Sequence, residues 1–160
     1  MNRLIIFTAA TALAFGLPAA KAADKHYEPG SGGHLFVMPD ELDWGPVGSM
    51  GEGAEIAIIE GDLTKAQPFT FRLRLEDGYK IKPHVHPAYE RGTVLQGTLH
   101  FAHGVEFDRD QTNALPEGST FIMAPGMPMY GYAEGEVLLQ LHGEGPWGIE
   151  YINAKDDPRR

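Results

Sequence analysis

Cysteine is absent from all 160 residues. That excludes disulfides, thiolate metal sites and a lipid-modified cysteine behind a leader. An exported domain without cross-links must be held by packing, metal or oligomerisation. Basic residues are scarce: 13 Lys and Arg face 22 Asp and Glu, a net charge of −9. So acidic a balance argues against nucleic acid or an anionic membrane surface as a partner. Long apolar runs are lacking beyond residue 23, so no later segment reads as a membrane helix. Helical periodicity is scarce too. Past residue 23 only "MPDELDW", Met38 to Trp44, hints at a helical stripe.

The one long apolar run lies at the start. "MNR" gives a positive beginning, and Leu4 to Leu17 is of signal-core length, short for a bilayer span. Gly16 and Pro18 interrupt a helix, and Ala20-Lys21-Ala22 offers the small–any–small pattern of a signal-peptidase site. The expected product is cleaved after Ala22 and exported to the periplasm or beyond, free of the membrane. The competing reading is an uncleaved anchor. Cleavage removes Arg3 and Lys21 and no acid, leaving 138 residues at −11. That is the length of one domain with a real core. Residues 23–33, "ADKHYEPGSGG", read as a flexible lead-in, and 34–160 as a single folded domain.

Gly and Pro recur between short segments rich in β-branched and aromatic residues, the pattern of an all-β protein. "AEIAIIE" is a strand closed by "GDLTKAQP". "FTFRLRLE" alternates strictly, with Phe69, Phe71, Leu73 and Leu75 on one side, as a half-buried strand does. "RGTVLQGTLHFAH" is a strand pair or one strand bulged at Gly97. "LPEGSTFIMAPG" gives a turn, a strand and a turn. "MYGYAEGEVLLQLHG" reads as a hairpin about Ala133-Glu134-Gly135, and "WGIEYIN" as a last strand. Seven or eight such strands predict a sandwich or barrel.

The chemistry sits in "KPHVHPAYE", Lys82 to Glu90. His84 and His86, two apart, share one face of a strand. Glu90 follows a Pro-Ala-Tyr turn that can fold it back toward them. Two imidazoles and a carboxylate suit a divalent first-row metal and match the two-His-one-carboxylate set that leaves coordination positions open. Paired histidines on strands are also common without any metal.

The surrounding glycines sharpen this. "GYKIKPHVHPAYERGTVLQG" reads Gly-x5-His-x-His-x3-Glu-x6-Gly from Gly78 to Gly97. It resembles the first signature motif of the cupin family at every defining position. The family's second motif, Gly-x5-Pro-x-Gly-x2-His-x3-Asn, is similar in frame to "GSTFIMAPGMPMYGYA" from Gly118, with Gly126 in place. Three positions depart from it: Ala124 for proline, Met129 for the histidine ligand and Ala133 for asparagine. The resemblance covers roughly residues 35–158. It implies a jelly-roll β-barrel holding iron, manganese, nickel or copper through His84, His86 and Glu90. It also implies a homodimer formed by strand exchange or sheet extension. Met129 then has three readings: a thioether ligand favouring copper, a spacer beside an open site, or the mark of a lost metal.

Two further residues are candidates for catalysis. Tyr130 adjoins the expected fourth-ligand position and reads either as a hydrogen-bond donor to substrate or as a plain structural tyrosine. His142 shares a strand face with Gln140. It serves as acid–base or replacement ligand if that face is the cavity, and has no such role if it is solvent. His100 and His103 read as surface residues. Three functions follow: metal-dependent, oxygenase-like chemistry on a small molecule; a periplasmic binder of copper or a small ligand without turnover; or a structural metal.

Overall fold

The structure is a computed structural model that describes residues 26–160. The expected export segment, residues 1–22, lies outside the described residues, as does the start of the lead-in. Nine strands form one curled antiparallel sheet: β1 (Gly45–Pro46), β2 (Ala54–Glu60), β3 (Pro68–Leu75), β4 (Lys80–Val85), β5 (Glu90–His103), β6 (Asn113–Pro116), β7 (Thr120–Met123), β8 (Met129–Glu144) and β9 (Glu150–Tyr151). Short 3-10 turns occupy Pro39–Glu41, Arg109–Gln111 and Ala154–Asp156. The first is all that forms of the helix hinted at by "MPDELDW"; Pro39 opens it and three residues close it.

Strand β3 shows how pattern becomes barrel. Phe69, Phe71, Leu73 and Leu75 are buried and the residues between them are not. Those four join Val94, Leu99, Val137, Leu139 and Leu141 in one apolar core. Burial of side chains of this size contributes roughly 1.5–3 kcal/mol each, which is how a cysteine-free barrel is held. The cupin jelly-roll expected from the sequence is the fold observed.

Strands β5 and β8 are the long bent staves. Strand β5 is one bulged strand, with register shifts between Val94 and Gln96 and between Gln96 and Thr98. Gly97 sits there at φ +76°, where a Cβ would run into the Glu136 carbonyl. Only glycine meets both demands without strain. The expected hairpin at 133–135 does not form. Strand β8 runs through it, its first part paired to β4, its second to β3, and both parts to β5. The Ala-Glu-Gly sequence bends the strand instead of reversing it, because β5 runs alongside both parts and bends at its own glycine nearby. The last strand is also shorter than "WGIEYIN": only Glu150 and Tyr151 pair, against β4.

Candidate metal centre

The site is built on an irregularity in β4. Ile81 and His84 both face the barrel interior, although residues three apart alternate faces on a regular strand. The register shift between Ile81 and His84, spanning Pro83, changes the parity and turns His84 inward. His86 follows two residues later on the same side, as its spacing predicts. The turn after Pro87 then brings Glu90, the first residue of β5, back beside them. All three are buried: His84 is 3%, His86 2% and Glu90 6% exposed.

Each imidazole is held by its far edge. His84 Nδ1–H donates to the Lys82 carbonyl at 2.7 Å, and His86 Nδ1–H donates to the Gly148 carbonyl at 2.6 Å. A carbonyl can only accept, so both protons are on Nδ1. Both Nε2 atoms are therefore lone-pair acceptors when the rings are neutral. These two acceptors lie 3.1 Å apart, and Glu90 Oε2 lies 3.4 Å from His86 Nε2. Glu90 Oε2 is buried and has no hydrogen-bond partner among the described residues.

Burial keeps the rings neutral. It pushes His84 down to about 4, the Lys82 hydrogen bond opposing it in part. It pushes His86 down to about 3, helped by the neighbouring His84 and opposed by the Gly148 bond. Burial alone pushes Glu90 up to about 8. Among the described residues no group of three or more His, Asp or Glu stands in a geometry that could hold a metal ion as it is. The structure shows instead two facing imidazole acceptors with a buried carboxyl beside them. Two Nε2 acceptors 3.1 Å apart, with backbone carbonyls fixing the far ring nitrogens and an unpartnered carboxyl oxygen beside them, would fit a divalent metal after a small adjustment.

Around these groups lies a cavity of about 40 Å³, enough for a few heavy atoms. Phe71, Phe101, Phe121, Leu141 and Ile149 are among its apolar walls, and Ser49 adds a hydroxyl. Trp147 stacks on His86, ring centroids 4.4 Å apart and 18° between planes.

Met129 is the register partner of His84 and fully buried. Its side chain belongs to the apolar core and does not line the cavity. Two expected catalytic residues are not brought to the site. His142 shares a face with Gln140, as its alternation predicts, but that face is the outside of the barrel. Leu139 and Leu141 take the cavity side, and His142 is exposed between Thr70 and Arg91. Tyr130 is buried at 2% exposure but lies outside the cavity lining, packed against Phe107 with centroids 5.5 Å apart. Being next to Met129 on a strand, it faces the other way. Of the two other barrel histidines, His103 is exposed. His100 stacks on Tyr132 at 4.3 Å and meets Glu134 at 2.5 Å on the outer face.

Sequence reasoning missed Trp147, the Gly148 carbonyl and the Val47–Met50 segment that closes the cavity. The only local signal is "GPWG", a tryptophan in a turn, which does not reveal a partner 61 residues away.

Comparison with known proteins agrees with the fold. A family model described as a domain of unknown function (DUF4437) matches residues 36–153. No curated protein matches. The polyketide cyclase RemF from Streptomyces resistomycificus superimposes with a TM-score of 0.63 at 15% identity, over 79% of this chain and 90% of that one. An RmlC-like cupin from Shewanella frigidimarina gives 0.55 at 13%, over 71% and 93%. Salicylate 1,2-dioxygenase from Pseudoaminobacter salicylatoxidans, as its adduct with gentisate, gives 0.52 at 16%. That match covers 64% of this chain and 30% of the dioxygenase. At such identities the likeness carries the fold alone. Fold, glycine-framed motif and family match agree: the chain has the cupin fold and belongs to the DUF4437 family.

Proposed function

We propose that this protein is an exported metal-dependent cupin that binds a divalent first-row metal through His84, His86 and Glu90 and acts on a small molecule by oxygenase-type chemistry. The observation that carries the metal assignment is the pair of facing Nε2 acceptors 3.1 Å apart, each with its proton locked on the opposite nitrogen. Without a cation only the protonated Glu90 carboxyl, 3.4 Å from His86 Nε2, faces that pair with a proton; a divalent cation would satisfy both rings and release it. When bound, such a metal supplies Lewis-acid or redox activation of an oxygen-bearing ligand. The chain's residues do the rest. The Lys82 and Gly148 carbonyls hold the imidazoles in the metal-ready tautomer. The apolar walls exclude water, which strengthens every polar contact inside. Glu90 provides the buried carboxyl, protonated near neutrality until a cation displaces that proton.

The oxygenase part leans on the two-His-one-carboxylate set and on a dioxygenase among the fold neighbours. Export leans on Leu4–Leu17 and Ala20-Lys21-Ala22. The second reading is a periplasmic metal binder without turnover, favoured by the small cavity of about 40 Å³. Metal analysis of protein purified from its own host is the test. Stoichiometric iron, manganese or nickel, with dioxygen uptake on adding small hydroxy- or keto-acids, supports the enzyme. Stoichiometric metal without uptake favours the binder, and no metal under any loading condition overturns both. A mature N-terminus other than Ala23 in that protein would overturn the cleavage assignment.

A further inference from the structure

We propose that Trp147 is the ligand-facing wall of the metal centre. Its ring face fixes His86, and its indole N–H is the donor for an oxygen of a small carboxylate-type ligand held beside the histidines. This rests on the metal reading above.

Trp147 lies outside both glycine-framed motifs, in the loop after β8. Its backbone is pinned: Trp147 N–H donates to the Leu63 carbonyl at 2.7 Å, and Gly145 N–H to the Gln67 carbonyl at 2.9 Å. The ring is wedged between His86 and two phenylalanines, its centroid 5.8 Å from Phe69 and 5.1 Å from Phe71. The next residue, Gly148, supplies the carbonyl that holds His86 Nδ1. Consecutive residues therefore set both the plane and the tautomer of one imidazole. Partners of this kind typically account for about 10–100-fold in metal affinity.

The indole nitrogen is the second observation. Trp147 Nε1 is buried and has no hydrogen-bond partner among the described residues. A buried N–H left unpaired is costly, and buried tryptophans usually find an acceptor. The cavity that Trp147 walls offers apolar groups, the Ser49 hydroxyl, which does not bond the indole, and the metal-binding set, whose acceptors are committed to the cation on the metal reading above. The missing acceptor is thus best supplied by a ligand. A cavity of about 40 Å³ limits that ligand's buried part to a few heavy atoms, the size of a carboxylate head.

The test uses the Trp44→Phe protein, which leaves Trp147 as the only tryptophan, since the chain has two. Trp44 stands elsewhere, against Arg74. In this background Cu²⁺ should quench the fluorescence almost completely at one equivalent. Nickel affinity by calorimetry, and formate binding to the Co²⁺-loaded protein by its visible spectrum, then separate the two roles. W147F keeps an aromatic face and loses the N–H. Its nickel affinity should stay within about threefold while formate binding weakens about tenfold. W147L loses both, and nickel affinity should fall at least about tenfold. Unchanged formate binding in W147F, unchanged nickel affinity in W147L, or no quenching would each overturn the proposal. Quenching and W147F decide it should W147L not fold. Failure of the unsubstituted protein to take up any metal would instead sink the metal reading itself, and this inference with it.

Discussion

Strands β4 and β8 place unlike residues at matched positions across the site. His84 on β4 and Met129 on β8 are register partners, both buried and both turned inward. From the β4 side and its following turn come two imidazoles and a carboxylate. The β8 side contributes a thioether packed into the apolar core. The polar half is held by hydrogen bonds to backbone carbonyls, the other half by packing. The difference teaches that this is a one-sided site, with the two imidazoles and the carboxyl on one wall and mostly apolar surface on the rest. A metal held as proposed, by these three residues alone, would leave coordination positions for a small ligand.

Removing a ligand from the polar wall should break the comparison most. His86→Ala should lower nickel affinity by more than about a hundredfold, beyond the roughly 10–100-fold typical of mere orienting partners. Calorimetry reads this directly, and a loss under about tenfold would place the metal elsewhere.

The pH dependence of the metal-free protein comes next. His84 and His86 stay neutral in the fold while the unfolded chain protonates near 6.5. The unfolded state then binds more protons, so stability should drop as pH falls from about 6.5 toward 4 and below. Glu90 has the opposite sign. The folded state holds its proton up to about 8 while the unfolded chain releases it near 4.5. Stability from this group is full below 4.5 and lost as pH rises toward 8. Glu90→Gln should therefore flatten the decline on the alkaline side, an effect on the order of 5 kcal/mol. Urea titrations from about pH 4 to about pH 9 measure both limbs; an unaltered alkaline limb in the variant would contradict the assignment.

The apolar wall should respond more mildly. Met129→Leu should leave nickel affinity within about threefold and cost under about 1.5 kcal/mol, as volume-conserving core swaps do. Met129→His, at a position whose side chain lies in the core and outside the cavity lining, should leave nickel affinity within about threefold. Tightening of about tenfold or more would mean that position 129 does reach the metal. The outer face should matter least. His142→Ala should alter stability by no more than about 0.5 kcal/mol and metal affinity not at all.

Much of this was legible in the residues. The alternation of Phe69, Phe71, Leu73 and Leu75 announced the barrel stave. The one-residue gap between His84 and His86 put them on one face, and the frame from Gly78 to Gly97 named the family. What escaped was non-local. Alternation showed that Gln140 and His142 share a face but not which face is inside, since that depends on how β3 and β5 pair on either side of β8. The Ala-Glu-Gly sequence at 133–135 signals a turn, yet β5 alongside converts it to a bend. Trp147 meets His86 only after the whole barrel closes. Tyr130 adjoined the expected ligand position in sequence, and for that reason faces away from it.

X-ray absorption spectroscopy of the nickel-loaded protein tests the central claim most directly. The account predicts a nitrogen and oxygen shell with the scattering pattern of two imidazoles and no sulfur. A sulfur scatterer, or fewer than two imidazoles, would contradict it.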